Sequence, residues 1–504
     1  MTAVTFCVLI LYFLYADFNG GICLETIIII EMILYFLLIV GVGLFFGRQK
    51  MNRSKFLLGG KELPGWALAF SERATSESSW LILGFTGFTF LTGLSAIWTI
   101  VGMVLGISFT WLVLAKKFMI ETDKHKVLTL TDYLAVRFPN HGVYIRILAT
   151  ILILIFFVFY VGAQYDGVGK TFLTIFDLTP TTGIIISTVV VIVIAFAGGF
   201  ISVVWTDMIQ SVMMLIVLGG MPIIAFIHLM NNDISIVQEM QVAGNGVDTW
   251  TGGVTGFAFG LLFFNNFSYF FGYLGGQPQL TTRFMALRNK KEAKTASITG
   301  IVWTLIAFFG AFFIGLTAIG MYNVSDFADE EVVLPTMIMD LTPPWIAGIL
   351  ISGILAAMIT TATSQIMVVT SSISEDLMNK SFKINLSEEK WVLVSRIVIV
   401  VTGLLALVMA ILSSNLVLTV VGWAWAGVGS TLSVAVLLTF FWKRYSGIGV
   451  IATILSGLIG TLIWINTPLD EIISARFTTF FIALIFGVVF SYLFPEKREE
   501  ETEA

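Results

Sequence analysis

The chain has 504 residues, of which 57% are hydrophobic and 12% charged, about half the charged fraction of an ordinary soluble domain. That balance excludes a soluble globular protein and leaves a polytopic membrane protein. A net charge of −5 without a basic patch argues against a nucleic-acid partner. Both cysteines, Cys7 and Cys23, precede the apolar body, so it has neither a disulfide framework nor a thiolate metal site.

Residues 1–24 form an N-terminal extension. Val4 to Tyr15 is apolar but too short to span, and it lacks the basic flank and cleavage site of a signal peptide. It reads either as a surface segment or as sequence upstream of a true start at Met32. Apolar runs of at least about 18 residues then give thirteen expected spans, near 26–46, 66–92, 95–115, 143–166, 181–198, 205–230, 252–277, 295–322, 344–376, 391–412, 415–442, 446–467 and 474–494. With the N-terminus outside, the loops assigned to the cytoplasm hold 24 of the 27 Lys and Arg residues, as the positive-inside rule requires. One miscounted helix would invert every later loop and destroy that split. The expectation is a multi-pass protein of the cell (inner) membrane with its C-terminus in the cytoplasm. Residues 25–495 read as one transmembrane domain and 496–504 as a short cytoplasmic tail, with no soluble signalling module. Histidines 125, 141 and 228 are too scattered for a metal cluster.

Three spans depart from plain hydrophobic helices. The second carries Ser71 to Trp80 (SERATSESSW) at its middle, with three charges and five hydroxyls between apolar flanks. Ionisable groups at bilayer depth are costly and face a protein or water-filled interior, so this waist is a functional site by default. Arg73 and Glu77 are four residues apart and pair if the stretch is helical; alternatively Arg73 meets a solute carboxylate. The seventh span contains Gly272, Gly275, Gly276 and Pro278. Proline removes a backbone donor and disfavours helical geometry at Gln277, which predicts unwinding there. The ninth contains Thr360, Thr361, Thr363 and Ser364 beside the small pair Ala356-Ala357. Its hydroxyls offer oxygen ligands to a cation such as sodium, or satisfy themselves on their own backbone.

The second and seventh spans run in opposite directions, five spans apart. Paired interruptions of this kind point to inverted repeats and to a transporter site at their interface. The repeats would cover about 66–230 and 252–442.

In order along these spans, Leu58-Gly59-Gly60, Trp80-Leu81, Gly198-Gly199-Phe200, Trp205-Thr206-Asp207, Gly272-Tyr273, Pro278, Arg283-Phe284-Met285-Ala286, Ile354-Leu355-Ala356-Ala357, Glu375-Asp376-Leu377 and Trp423-Ala424-Trp425-Ala426-Gly427 resemble the sodium:solute symporter family. The likeness is greatest to its sodium/proline symporter branch. It implies an all-α, LeuT-like 5+5 inverted-repeat core with one leading and two trailing helices. It also implies a sodium site formed by the carbonyls of Ala74, Glu77 and Ala357 and the hydroxyls of Thr360 and Thr361. Solute-binding residues would be Ser78, Tyr269, Tyr273 and Pro278, although one extra residue separates Tyr273 from Pro278. Ser76 stands where that branch carries an aspartate important for coupling, and Arg73, Ser76 and Asp207 are candidates for coupling or gating. Asp207 reads equally as the N-cap of the sixth helix.

The expected function is therefore sodium-coupled import of a small solute, an amino acid such as proline, by alternating access, with no cofactor beyond the sodium ion. Proton coupling or a sugar or carboxylate substrate would keep the same fold. A channel or membrane enzyme would require a filter loop or a catalytic cluster that the sequence does not show.

Overall fold

The computed structural model describes residues 24–47, 53–197, 199–413 and 415–496, so the N-terminal extension before Leu24 and the tail beyond Glu496 lie outside the described residues. Every regular element among the described residues is helical. A chain this apolar can satisfy its backbone N–H and C=O groups in lipid only within helices or a closed barrel. Ten of these helices are long and apolar enough to cross a membrane, and Pro180–Phe196 is apolar but shorter.

The first long helix is α1 (Leu24–Gly47). The second expected span is two pieces: α2 (Gly65–Ser76) ends at Glu77, and a π-type turn from Trp80 leads into α3 (Thr86–Thr92). A tight turn at Gly93–Ala96 joins α3 to α4 (Ile97–Phe109), which continues into α5 (Ala115–His125). Next come α6 (Gly142–Phe176), α7 (Pro180–Ala197) and α8 (Phe200–Asn231).

The seventh expected span is also broken, into α9 (Gly256–Phe267), the single turn α10 (Tyr269–Gly272), a non-helical stretch from Tyr273 to Gln277, and α11 (Pro278–Met285). Beyond it lie α12 (Lys290–Ile319), α13 (Pro344–Ser371), α14 (Glu388–Leu412), α15 (Val417–Ala424), α16 (Thr431–Phe441), α17 (Gly447–Ile465) and α18 (Ala475–Leu493). The polar ninth span, α13, is continuous through its hydroxyl cluster and turns π-type only from Ser372.

The core gathers around α2 and α8, which pack on each other and on both α12 and α13, while α17 and α18 pack mainly on each other at the periphery. Of the spans, α13 is the most enclosed, every residue from Leu350 to Ile366 being buried.

The break after α10 has two separate causes. Gly275 has φ +84°, a backbone that side chains other than glycine rarely adopt. Gly276 has no room: a Cβ there would sit 2.2 Å from both the Gly429 carbonyl oxygen and the Ser433 nitrogen. Both neighbours are backbone and Ser433 Oγ already accepts from the Gly276 N–H at 3.1 Å. Gly276→Ala should therefore push the two segments apart and cost about 1–3 kcal/mol, read as a lower unfolding midpoint of the solubilised protein.

Candidate functional site at the helix breaks

Residues Ser71 to Trp80 are all buried within the protein, so the polar waist of α2 faces inward. At Glu77 the backbone leaves helical geometry (φ −93°, ψ 82°), and its N–H donates the last helical hydrogen bond to the Arg73 carbonyl at 2.9 Å. The carbonyls that follow lie where the intrahelical ladder runs out. Two side chains reach them: Thr361 Oγ1 donates to the Thr75 carbonyl at 3.0 Å and lies 3.4 Å from that of Ala74, and Trp80 Nε1 donates to the Ser76 carbonyl at 3.0 Å. The broken end of α2 is thus held against the middle of α13.

Two charged clusters flank that contact. In the first, Arg73 forks onto Glu72, with Nε donating to Oε2 at 2.5 Å and Nη2 to Oε1. Its Nη1 donates to Glu77 Oε1 at 2.9 Å and lies 3.4 Å from Thr304 Oγ1. Trp111 Nε1 donates to Glu72 Oε2 at 3.1 Å, and Tyr273 OH donates to Glu77 Oε1 at 3.0 Å. Ser76 Oγ hydrogen-bonds Tyr273 OH and lies 3.1 Å from Glu77 Oε1. The expected Arg73–Glu77 pair forms, and the guanidinium is engaged by two carboxylates.

In the second cluster Asp207 Oδ2 accepts from Ser71 Oγ at 2.6 Å and Arg283 Nη2 at 3.0 Å, while Thr360 Oγ1 donates to Oδ1. Arg283 also donates to Ser364 Oγ at 2.7 Å and Thr75 Oγ1 at 3.1 Å. Four helices, α2, α8, α11 and α13, meet on one ion pair. The N-cap reading of Asp207 is corrected here: α8 begins at Phe200 behind Gly199, so Asp207 lies two turns inside the helix. A cleft lined by Phe56, Phe200, Arg283, Ser364 and Met367 reaches this cluster.

Aromatic rings enclose the other side of the α2 break. Tyr273 and Trp425 have centroids 4.4 Å apart, Trp80 stacks on Tyr269 at 5.3 Å, and Trp80 and Trp425 meet edge-on at 5.9 Å. Trp425 Nε1 donates to Tyr160 OH at 3.1 Å, and that hydroxyl lies 3.4 Å from Ser78 Oγ. Both tryptophans open π-type turns, Trp80–Phe85 and Trp425–Ser430, local irregularities that often mark functional sites. A third cluster lies away from the breaks, where Lys170 Nζ bonds Glu331 Oε2 at 2.6 Å and Asp329 Oδ2 at 2.7 Å, and Glu331 accepts from the Val417 and Leu418 N–H groups.

Of the residues expected to bind sodium, the structure brings Ala74 and Thr361 together, turns the Thr360 hydroxyl to Asp207, and sends the Glu77 side chain to Arg73 and Tyr273. Ala357 is buried one turn before Thr361. Of those expected to bind solute, Ser78, Tyr269 and Tyr273 join one aromatic group, whereas Pro278 opens α11 at a position where a missing N–H costs nothing. Ser364, one of the hydroxyls expected to face a cation, accepts instead from Arg283, and Tyr160, Trp425 and Arg283 were not among the expected site residues. For Tyr160 the sequence offers no signal, whereas Arg283, a charge beside a broken span, carried one.

Two interrupted spans that meet at an enclosed polar centre define a membrane transporter of the inverted-repeat kind. A model described as the sodium:solute symporter family matches residues 56–457. The chain is 33% identical over 438 residues to the high-affinity proline transporter PutP of Bacillus subtilis (strain 168), covering 85% of this chain and 90% of that one. It is 32% identical over 447 residues to sodium/proline symporter 2 of Staphylococcus saprophyticus, covering 86% and 85%. Among solved structures, a Na+-coupled sialic acid symporter in a substrate-bound outward-open state matches with a TM-score of 0.78 at 21% identity, over 94% of this chain and 99% of that one. The chain belongs to the sodium:solute symporter family. It is a multi-pass, sodium-coupled secondary transporter of a small solute, and not an enzyme.

Proposed function

We propose that the transported solute is an amino acid, proline first among them, carried into the cytoplasm with sodium by alternating access. The names of the two relatives support proline, and the ring cluster of Trp80, Tyr269, Tyr273 and Trp425 supports a compact solute with an apolar body. Sodium would sit between α2 and α13, on the carbonyls of Ala74, Glu77 and Ala357 and the hydroxyls of Thr360 and Thr361. The observation that carries this reading is the Thr361 hydroxyl laid across the unwound carbonyls of α2. Solute would lie next to it, among Ser78, Tyr269 and Tyr273, with Pro278 setting the start of α11.

The same proposal takes the chain as thirteen spans, N-terminus outside and C-terminus inside, with repeats over about 66–230 and 252–442 in a single transmembrane domain. The cleft at Arg283 and Ser364 then supplies an exit toward the cytoplasm. A membrane potential of 100 mV contributes about 2.3 kcal/mol per sodium ion, enough for a solute gradient of roughly fifty-fold.

Thr361→Ala should weaken sodium activation of uptake by roughly 10–100-fold while leaving the amount of inserted protein unchanged. Sodium titration of proline uptake into proteoliposomes measures it, and an unchanged half-saturation would remove Thr361 from the site. Replacing sodium by potassium at fixed pH should abolish uptake; persistence would make protons the driver.

A further inference from the structure

The Arg73 cluster does not balance. Glu72, Arg73 and Glu77 bring two carboxylates and one guanidinium to a site with at most 1% exposure. The guanidinium forks onto Glu72 and gives Glu77 a single bond, to Oε1. Tyr273 OH also donates to Oε1 and Ser76 Oγ lies 3.1 Å from it, so three polar groups converge on one oxygen of this carboxylate. The other, Oε2, is buried without a hydrogen-bond partner. A buried carboxylate left with one oxygen bare and the local charge at −1 is strongly unfavourable unless a cationic group completes it.

The surroundings say which cation. Tyr273, which holds Oε1, stacks edge-on against Trp425 at 4.4 Å, and Trp425 leads through Tyr160 OH back to Ser78 beside Glu77. The groups on this side of the α2 break are therefore mainly aromatic rings with phenol and indole polar tips. A carboxylate beside aromatic faces suits an organic cation, which takes one charge-assisted hydrogen bond and rests its remaining surface on the rings.

We infer that Glu77 Oε2 is the counter-charge for a cationic nitrogen on the transported solute, so the site selects solutes that carry a primary or secondary ammonium group. The inference rests on the solute position proposed above, and it gives the Glu77 side chain a task separate from that of its backbone carbonyl. Arg73 then acts as a positioning residue: it fixes Oε1 and leaves Oε2 to the solute.

The test is a binding measurement on the purified full chain, by thermal shift in sodium and in potassium. The probes are L-proline, L-alanine, tetrahydrofuran-2-carboxylate and D-glucose. Tetrahydrofuran-2-carboxylate has the ring and carboxylate of proline and no cationic nitrogen. The wild-type protein should bind L-proline or L-alanine at least about 30-fold more tightly than the oxygen analogue or glucose. Glu77→Gln keeps the Oε1 contacts and removes the charge, and it should cut binding of the amino acid by about the same factor. Stabilisation of that variant by sodium alone shows that it is folded and that its backbone site is intact.

Equal binding of proline and its oxygen analogue by the wild type, a response to glucose alone, or an unchanged proline affinity in Glu77→Gln would each overturn the inference. The wild-type comparison needs no variant, so misfolding of Glu77→Gln would not protect the idea. Failure of the symport reading is seen on the other axis, as identical amino-acid binding in sodium and potassium.

Discussion

Arg73→Met should leave little folded carrier. The wild-type guanidinium is fully buried, donates twice to Glu72 and once to Glu77, and lies over the Tyr273 ring at 5.5 Å. Without it, two carboxylates remain side by side in the interior with no cation between them. Breaking a buried pair from one side costs about 3–5 kcal/mol, a large part of the roughly 5–15 kcal/mol that holds a typical domain together. Lysine would not replace it, because an ammonium cannot present the parallel donors that the Glu72 fork requires. Glu72→Gln in the same chain should recover part of the loss by removing one of the two orphaned charges. The unfolding midpoint and the monodisperse yield of the solubilised variants would show this order: wild type, then the double variant, then Arg73→Met. A single variant as stable as the wild type would mean that the carboxylates are neutral and need no partner.

The site's own break points were readable in the sequence because they depend on local chemistry. A ten-residue polar run cannot face lipid, and Gly275, Gly276 and Pro278 in one short stretch cannot hold a helix; both predicted the interruptions that the structure has. The Arg73–Glu77 pair followed from helical spacing. The Glu72 fork did not, because adjacent residues on a helix point apart; here Arg73 curls its long side chain back over its own neighbour.

Of the two equal readings of Asp207, the cap fails because the apolar run opens at Trp205 in the sequence, whereas helix geometry already begins at Phe200. The partners that give Asp207 its role, Ser71, Thr360 and Arg283, stand 136, 153 and 76 residues away along the chain. Contacts of that separation are products of tertiary packing, and no periodicity or spacing in one sequence encodes them. Tyr160 is the extreme case. It sits unmarked in an apolar span, and only the fold brings its hydroxyl between Trp425 and Ser78.

Arg283→Lys is expected to keep the protein folded and slow transport by about tenfold or more, a division of effects that separates charge from geometry. The Arg283 Nε donates to Ser71 Oγ at 3.1 Å, Nη1 to the Gln279 carbonyl at 2.6 Å, and Nη2 to Thr75, Asp207 and Ser364. A single planar group thereby ties α11 to α2, α8 and α13, at the inner end of the cleft it lines. Lysine can restore the ion pair with Asp207, so the 3–5 kcal/mol cost of an orphaned buried charge is avoided (about that much is expected for Arg283→Met). It offers donors from one nitrogen only, and so cannot hold Ser71 on α2 and Ser364 on α13 in register at once. If sodium and solute are released by moving α2 against α13, the register between those helices must be set and broken cooperatively in each cycle. The lysine variant should then show normal insertion, a near-normal unfolding midpoint and a reduced maximal rate of uptake in proteoliposomes. Wild-type turnover in Arg283→Lys would show that charge alone suffices at this junction, and that the hydrogen-bonded fork does not couple the four helices.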